Sequence, residues 1–442
     1  MRPDREGWIT GVGAVSPIGL DAPSYVAGLR SGARGVRLLD PLPGPPVAGA
    51  PALSTRVVAR AWGFEPEGEL SGADAERVAR QVPLALRAAR EALAMAGLAG
   101  IGEDEGAARG VGLILGTGGG GIDFTLTQAA RLHAGEAPSL WTITNATHGN
   151  LAGELSIRLG LRGPSLCVSD GCASSSNALA LALARMRAGG ADEPRAWVVV
   201  GADAHARYET LRGMELLRVI HTGEVCGADE AAGASRPFDR DREGFVLGEG
   251  AWAAVVEPAS LASERGATRL AELLGAGSTC DAYHRVRPDP EMTECVRAMR
   301  LAVADAGLGV EDVGIVHYHG TSTGVNDRDE TRAVREAFGG HAERLVGSSI
   351  KGAIGHPQGA CGIASVVATV GCAAGLDGGA GGAGFVPPTV NLETPDPDCD
   401  LDYTPKRSRA LTPRAGGHVA LVNCLAFGAK NTALVLRVGA TG

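Results

Sequence analysis

The sequence predicts an α/β fold of mostly parallel sheets covered by helices, and three observations lead to this expectation. Short apolar runs with strand character alternate with longer helical segments along nearly the whole chain. Hydrophobic residues make up 45% of the 442 residues, which is too many for an unfolded chain. The 66 glycines, together with abundant alanine, favour close packing of helices on sheets. Near residue 257 the alternation begins again, although the two halves do not repeat in sequence.

The first half is predicted to contain five strands and two long helices. One helix is expected at 74–96, because apolar residues such as Val78, Val82 and Leu86 recur there at three- and four-residue spacing. The segment 38–51, rich in Pro and Gly, indicates a surface loop. A second helix is expected to end near Gly189, since paired glycines stop a helix. The expected strands are 8–15, 111–115, 165–169, 196–200 and 251–257.

A glycine-rich segment, 116–121, follows the predicted strand at 111–115 and formally satisfies the pattern GxGxxG. A dinucleotide site would also need a helix starting there and an acidic residue after the next strand. The next helical segment is expected only at 126–133, and no strand-borne acid follows at the right distance. The glycines therefore favour a backbone that can bend near a pocket over a nucleotide site.

The second half repeats the alternation of strands and helices. A glycine-rich loop is expected at 375–384, before the closing strands. The expected strands are 270–275, 314–319, 345–349, 418–423 and 432–438, and the expected helices are 290–306, 329–338 and 359–375.

Composition also limits the classes of function. A net charge of −9 argues against bulk nucleic-acid binding. The nine cysteines show no CxxC pair and fit a reducing cytoplasm better than a disulfide framework. The opening residues 1–6 lack an apolar signal core, and no run of about 18 apolar residues occurs. A cytoplasmic protein without a membrane segment is the expectation.

Cys172 is the first candidate functional residue. It follows the predicted strand 165–169 and an Asp-Gly corner, and it precedes the apolar helix that runs to Gly189. At the N-terminus of a buried helix, unpaired amides and the dipole favour an anion, so the thiol pKa is expected to fall. The alternative is an inert, small buried cysteine, which is the commoner situation.

Two of the ten histidines also follow predicted strands and enter loops of small residues. His319 precedes Gly-Thr-Ser-Thr-Gly, and His356 lies within Lys351-Gly-Ala-Ile-Gly-His-Pro-Gln-Gly-Ala. Each taken singly is more often a structural residue, but together with Cys172 they predict a Cys/His/His constellation. Cys172 and His319 are 147 residues apart, and His356 follows 37 residues later, which excludes a local metal knuckle.

These motifs carry a family resemblance. The segment 160–176, which contains Gly-Cys-Ala-Ser-Ser-Ser, resembles the nucleophile region of β-ketoacyl-acyl-carrier-protein synthases in the thiolase superfamily. The turn 236–250, the two histidine motifs and the late segments 387–392 and 398–402 resemble further family motifs in the same order. The segment 423–431 is a degenerate form of the glycine-rich loop that closes the family's site. The resemblance spans nearly the whole chain.

The resemblance implies a five-layered αβαβα thiolase-like fold made of two pseudo-equivalent halves. Residues 1–256 would carry Cys172, and residues 257–442 would carry both histidines. The implied activity is an acyltransferase reaction, the decarboxylative condensation of a cysteine-bound acyl chain with malonyl-acyl carrier protein. The product, a 3-oxoacyl chain, would serve fatty-acid or type II polyketide biosynthesis.

The resemblance implies a role for each of the following residues of this chain. Cys172 would be the nucleophile, and His319 and His356 would stabilise an enolate. The amides of Cys172 and Phe427 would form an oxyanion hole, with Phe427 also acting as the gate to the acyl pocket. Lys351 and Glu330 would hold each other and orient the loops. No cofactor or metal is expected, since the substrates arrive on the phosphopantetheine of an acyl carrier protein.

Two partners are implied, acyl carrier protein and a second subunit, in either a homodimer or a heterodimer with a chain-length-factor-like protein. Two other functions compete with condensation. A non-elongating partner subunit would resemble the family but lack the cysteine, so Cys172 speaks against it. A cysteine hydrolase would account for one Cys/His pair but leave the second histidine and Lys351 unexplained.

The chain departs from the family pattern at Asp170, where Thr is usual, and in the closing loop, where Ala429-Lys430 replaces Gly-Thr. Leu425 and Ala426 replace Phe-Gly, and Asn326 replaces Gly. Neutral drift could account for each change. Since an acid and a base appear together on two loops that must meet, an ion pair between Asp170 and Lys430 is predicted instead.

Overall fold

The computed structural model describes residues 6–41, 49–190 and 193–439. Residues 42–48, which are half of the loop expected at 38–51, and the opening residues 1–5 lie outside these ranges. The described strands are β1 (Gly7–Val15), β2 (Arg37–Leu38), β3 (Val57–Val58), β4 (Val111–Gly116), β5 (Ser165–Val168), β6 (Ala196–Asp203), β7 (Gly250–Pro258), β8 (Ala271–Cys280), β9 (Val313–His317), β10 (Val346–Ser348), β11 (Phe385–Val386), β12 (Arg409–Ala410), β13 (His418–Ala426) and β14 (Lys430–Val438).

The helices alternate with these strands as the sequence predicts. The described α-helices are α1 (Ala22–Ser31), α2 (Gly72–Ala75), α3 (Gln81–Met95), α4 (Glu105–Arg109), α5 (Ile122–His133), α6 (Thr142–Ala146), α7 (His148–Leu159), α8 (Ser174–Ala188), α9 (Tyr208–Leu216), α10 (Ala228–Gly233), α11 (Ala259–Glu264), α12 (Thr293–Asp305), α13 (Asn326–Phe338), α14 (Lys351–Ile354) and α15 (Cys361–Ala374).

Each half contributes five strands to the central sheets, in the same order. The first half pairs as β5-β4-β6-β7-β1 and the second as β10-β9-β13-β14-β8. Numbered within its own half, each set is arranged 3-2-4-5-1, and the fifth strand runs antiparallel to both neighbours. β1 and β8 join the two sets over three residue pairs, from Gly7↔Leu273 to Ile9↔Ala271. The two pseudo-equivalent halves predicted for this fold are thereby confirmed.

The sheets are more mixed than the alternation of strands and helices predicts. β13 and β14 are joined by a turn of three residues, and strands joined so tightly must be antiparallel. The other strands of each half run in one direction, as β4 does beside β5 and β6.

Five layers result from the way the helices cover the sheets. The five strands of the first half form the first sheet, and α3 and α7 pack on its outer face. The five strands of the second half form the second sheet, and α12 and α13 pack on its outer face. α8 and α15 lie between the sheets with residues of both around them. All residues from Cys361 to Ala373 are buried, as expected for a helix that is apolar on every side. The predicted αβαβα arrangement is confirmed.

The helix expected at 74–96 is interrupted. α2 ends at Ala75 and α3 begins at Gln81. Pro83 lies in the first turn of α3, where its missing N–H is not needed, so the proline marks a helix start within the periodic pattern. Asn145 stabilises the break, since its side chain accepts from the Ala79 amide at 2.7 Å. The predicted division after residue 256 falls within β7 and stays a prediction.

Candidate active site

Cys172 lies on the turn between β5 and α8, as the sequence predicts. Gly171 turns the chain with φ of +60°, a conformation that favours glycine. Ser174, the first residue of α8, accepts a 2.8 Å hydrogen bond from the Asp170 amide and so fixes the turn. The Cys172 side chain is only 5% exposed. A thiol is thus held at the mouth of a buried helix.

The two histidines come from the other half of the chain and meet Cys172. His319 follows β9, and His356 follows α14. Cys172 Sγ lies 3.2 Å from His356 Nε2. The imidazole rings of His319 and His356 are 5.3 Å apart and inclined at 83°. The predicted Cys/His/His constellation is therefore assembled in space, with one donor atom from each residue within 4.8 Å of the others.

Both imidazoles are held in the neutral form. Burial and the nearby Lys351 ammonium lower the pKa of His319 to about 3. Burial also lowers the pKa of His356. Lys351 Nζ lies 3.5 Å from His319 Nδ1, and because an ammonium group can only donate, Nδ1 is the acceptor and Nε2 carries the proton. His319 consequently offers a neutral N–H donor to the site.

The expected lowering of the Cys172 pKa is wrong. Burial raises the pKa of this thiol, and the neighbouring Cys361 raises it further. Lys351 and the backbone amide of Phe427 act in the opposite direction but do not outweigh burial. The position at a helix N-terminus was correctly predicted, but the sequence does not show how completely the thiol is removed from water.

The expected pairing of Lys351 with Glu330 is also wrong. Lys351 Nζ donates to the carbonyl oxygen of His319. Glu330 accepts from the amides of His319 and Gly320, at 2.7 and 2.8 Å. Within the described part of the chain, the hydrogen-bond partners of the Glu330 carboxylate are these amides and the Asn423 side chain, and those of Lys351 Nζ belong to His319, so the two side chains do not pair with each other. Instead, Glu330 holds the amides of the His319 loop and Lys351 holds the carbonyl oxygen of His319, because these backbone groups lie closer to each side chain than the opposite charge does.

Burial raises the pKa of Glu330 to about 7. Three donors act against this shift: the amides of Gly320 and His319 and the side chain of Asn423, which lies 2.7 Å from Oε1. The carboxyl group is therefore fully occupied in fixing the turn that presents His319.

The loop between β13 and β14 closes the site over Cys172. Phe427 lines the same cavity as Cys172, and its backbone amide acts to lower the pKa of the thiol. Lys430 Nζ lies 2.8 Å from Asp170 Oδ1, so the predicted ion pair is confirmed. The side chains of Lys430 and Asp170 are 38% and 32% exposed, which makes this a half-buried pair at the rim of the site.

Several neighbours of the site were missed by sequence reasoning. Cys361 and Cys424 each place Sγ near the carbonyl oxygen of Cys172, at 3.3 and 3.0 Å. The Phe245 ring packs edge-on against His356, with ring centres 5.3 Å apart. Cys361 lies five residues after His356, so the motif itself offered a clue. Nothing local to Phe245 or Cys424 indicates which residue it will meet.

The glycine-rich segment 116–121 packs beside the site through Asp203. The amides of Gly118 and Gly119 donate to the Asp203 carboxylate at 2.8 and 2.9 Å. α5 begins at Ile122, four residues earlier than expected, so the helix that a dinucleotide site needs is present. A buried carboxylate nevertheless occupies the amides that a phosphate would need, which supports the interpretation that the glycines are structural.

A cavity of about 450 Å³ leads to the thiol and both imidazoles. It passes Phe427 and is lined farther out by Arg218, Arg287 and Val325, among others. A chain molecule entering here would meet the thiol at the inner end. The same donor atoms could hold a soft metal ion, and His319, Cys361 and Cys424 form a second such group.

Comparison with known proteins decides the family. The model for the beta-ketoacyl synthase N-terminal domain matches residues 7–262, and the model for the C-terminal domain matches residues 270–393. The chain belongs to the beta-ketoacyl synthase family. Among the described residues of this beta-ketoacyl synthase, no helix is both long enough and apolar enough to cross a membrane.

Relatives of this synthase match over almost their entire length. The chain is 37% identical to nodulation protein E of Rhizobium sp. (strain N33), over 98% of this chain and 99% of that protein. It is 35% identical to 3-oxoacyl-[acyl-carrier-protein] synthase 2 of Synechocystis sp. (strain ATCC 27184 / PCC 6803 / Kazusa), over 97% of each. The solved ishigamide ketosynthase/chain length factor superposes with a TM-score of 0.80 at 29% identity, covering 98% of this chain and 99% of that one.

Proposed function

We propose that this synthase carries out a decarboxylative Claisen condensation that extends a carrier-bound acyl chain by two carbons. The observation that carries the proposal is the contact of 3.2 Å between Cys172 Sγ and His356 Nε2, with the neutral His319 ring beside it. One nucleophile facing two neutral N–H donors suits acyl transfer followed by enolate formation.

In the first step, Cys172 sulfur attacks the thioester carbon of an acyl-carrier protein. The phosphopantetheine thiol leaves and receives the proton that Cys172 gives up. The backbone amides of Cys172 and Phe427 would stabilise the tetrahedral oxyanion, consistent with the Phe427 amide lying against the thiol. The raised pKa of Cys172 means that the thiol is deprotonated during attack rather than stored as a thiolate.

In the second step, malonyl-carrier protein enters through the cavity and loses carbon dioxide. Nε2–H of His319 and of His356 would donate to the developing enolate oxygen. The enolate carbon then attacks the Cys172 thioester, the carbon–sulfur bond breaks, and a 3-oxoacyl-carrier protein leaves. Lys351 and Glu330 act as positioning residues for His319, through its carbonyl, its amide and Nδ1.

The geometry disfavours hydrolysis. A cysteine hydrolase needs an imidazole that takes up a proton near neutral pH. His356, whose Nε2 contacts the thiol, has its pKa lowered by burial, and the pKa of His319 is lowered to about 3, so neither imidazole is suited to take up that proton. A non-elongating partner subunit is disfavoured because Cys172 is present with both imidazoles around it.

We propose acyl carrier protein as the substrate-bearing partner, as in the name of the Synechocystis relative. Arg218 and Arg287 line the cavity and offer cations to the phosphate of phosphopantetheine. No cofactor beyond that carried group is needed for the chemistry. We further propose a cytoplasmic location, consistent with nine cysteines that are all unpaired in the structure.

A second subunit, a copy of this chain or a chain-length-factor-like protein, would cover the edge of the first sheet. β5 is the terminal strand of that sheet and has an unpaired edge. The segment that precedes it, 122–159, carries six exposed large apolar residues: Ile122, Leu132, Leu140, Trp141, Ile143 and Ile157.

The test is to incubate the protein with malonyl-carrier protein and a ladder of acyl-carrier proteins of increasing length, and to weigh the products. Two added carbons, appearing as a 3-oxo product, are expected with the native chain. Cys172→Ala is expected to lose both elongation and the acyl mass on the protein. Elongation by the Ala variant, or free acid instead of a 3-oxo product from the native chain, would overturn the proposal.

A further inference from the structure

Gln358 is a buried polar residue that lines the cavity and that the proposed condensation does not use. It is only 7% exposed, and its side-chain Nε2 is buried without a hydrogen-bond partner among the described residues. Leaving buried N–H donors unpaired costs free energy. Since a carboxamide turns easily about its last torsion, half a turn brings these donors from the wall to the cavity. A molecule in the cavity can therefore satisfy them.

The lack of a partner at Gln358 is unusual for this cavity. Among the described residues that line it, one other buried side-chain atom has no partner, Nδ1 of His356, and that ring already has a role in the condensation. By contrast, Thr321 is paired with the hydroxyl of Thr323 at 2.9 Å. Asn431 donates to Asp281 at 2.6 Å. Gln358 is thus left over from the internal pairing of the cavity wall.

The backbone holds Gln358 in an unfavourable conformation. Its φ is +46°, which a residue with a side chain seldom adopts and which is retained mainly where function requires it. The flanking residues are anchored: the amide of Gly359 donates to Asp203 Oδ2 at 2.7 Å, and the amide of His356 donates to the carbonyl of Val246 at 2.7 Å. These bonds fix the place from which the side chain meets the cavity.

Gln358 lies on the inner wall of the cavity, beside the segment that follows β4. A Cβ atom added to Gly118 would lie 3.5 Å from Gln358 Cβ, so the glycine-rich segment backs this side chain. Arg218 and Arg287 line the outer part, where the phosphate of phosphopantetheine would enter. A group that meets Gln358 therefore belongs to the acyl portion delivered to Cys172 and not to the carrier arm.

We propose that Gln358 is a specificity-determining residue, whose carboxamide donates to an oxygen on the acyl chain close to the thioester. This inference rests on the proposed condensation, because it requires an acyl chain on Cys172. His356 Nε2 lies 3.2 Å from Cys172 Sγ, and Gln358 follows His356 by two residues, each step being about 3.8 Å between Cα atoms. The carboxamide thus reaches only the first carbons of the chain. The substrate class is a 3-oxo or 3-hydroxy acyl chain, since a plain saturated chain would leave the amide unpaired.

The experiment measures acylation of Cys172 in the full-length protein by three N-acetylcysteamine thioesters: hexanoyl, 3-oxohexanoyl and 3-hydroxyhexanoyl. Intact-protein mass spectrometry gives each rate, which is divided by the rate of the same thioester with glutathione to remove its intrinsic reactivity. We expect an oxygen-bearing chain to react about tenfold faster than hexanoyl, and the chain that does so identifies the oxygen as keto or hydroxyl. Equal corrected rates, or a faster hexanoyl chain, would overturn this inference alone. No acylation by any thioester would overturn the condensation and this inference with it.

Matched variants assign the preference to Gln358. Gln358→Met and Gln358→Leu remove the carboxamide and keep a side chain of similar size, so the ratio of oxygen-bearing to plain chains should fall to about one. Gln81→Leu is the control, because Gln81 is also buried with an unpartnered Nε2 but does not line the cavity. It should keep the native ratio. A native ratio in either Gln358 variant would overturn the assignment, and if one of the two does not fold, the other decides.

Discussion

Lys430 Nζ lies 2.8 Å from Asp170 Oδ1, and this ion pair joins the loop between β13 and β14 to the turn that carries Cys172. The side chain of Asn177 donates to the other carboxylate oxygen of Asp170 at 3.0 Å. Because both charged side chains are about one-third exposed, solvent screening keeps the energy of the pair small. The pair fixes the position of the two segments relative to each other. These segments carry Cys172 and Phe427, whose amides would form the proposed oxyanion hole.

We expect a double-mutant cycle at Asp170 and Lys430 to show coupling. Asp170→Thr and Lys430→Thr should each lower the free energy of unfolding, and the double variant should recover much of the loss, with a coupling of about 0.2–1 kcal/mol. The rate of Cys172 alkylation should follow the same pattern. Urea unfolding and iodoacetamide kinetics measure the two quantities. Strictly additive effects in both would refute the coupling.

His319→Ala and His356→Ala should retain acylation of Cys172 but lose decarboxylation. Removing one donor from an oxyanion site typically costs about 10²–10³ in rate. Intact-protein mass spectrometry follows acylation, and release of carbon dioxide from malonyl-carrier protein follows the second step. His317→Ala is the control, because His317 is also buried and neutral but contacts Thr369 at 3.1 Å. Equal carbon dioxide release by all three variants would exclude the enolate role.

The buried imidazole of His319 should make the fold sensitive to acid. Its pKa is about 3 in the folded state against 6.5 when unfolded, so the unfolded chain binds more protons between these values. The fold has its full stability above pH 6.5. As the pH drops toward 3, the free energy of unfolding falls by up to about 5 kcal/mol. Urea unfolding at several pH values should show that the free energy of unfolding changes less with pH in His319→Asn than in the native chain. An unchanged dependence of stability on pH in His319→Asn would contradict the prediction.

Glu330→Gln should weaken the turn that presents His319. An amide oxygen can accept one of the two backbone N–H groups, and the other loses its acceptor, at a cost of about 1–3 kcal/mol. We expect lower stability in urea, with decarboxylation reduced more than acylation. Glu336→Gln changes an exposed residue of the same helix and should affect neither. If Glu330→Gln slowed both steps equally, the selective effect on His319 would be excluded.

The sequence predicted the fold and the Cys/His/His constellation because strand-to-loop patterns and the family motifs are local features. Cys172, His319 and His356 each follow a recognisable element, and the shared strand order brings them together. The errors concern the partners of Lys351 and Glu330 and the pKa of Cys172, which depend on interatomic distances and on burial in the folded chain. The resemblance implied that Lys351 and Glu330 hold each other, but backbone groups of the His319 loop are their nearer partners.

The pKa of Cys172 was misjudged for a similar reason. A helix N-terminus can be recognised from the sequence, but the degree of burial depends on segments that are distant in the chain. Cys361 and Cys424 were overlooked because they are 63 residues apart and meet only through the packing of α15 against β13. The interruption of the helix at 76–80, by contrast, could have been predicted from Pro83.

The equivalent places of α8 and α15 have a consequence for where the chemistry resides. Each helix follows the third strand of its own half, and the turn with Cys172 and the turn with His356 are counterparts. The sulfur of one counterpart faces the imidazole of the other across the seam between the halves. Neither half alone contains the cluster, because Cys172 comes from the first half and His319 and His356 come from the second. The proposed reaction would thus take place at the junction, and only a chain that brings both halves into register could carry it out.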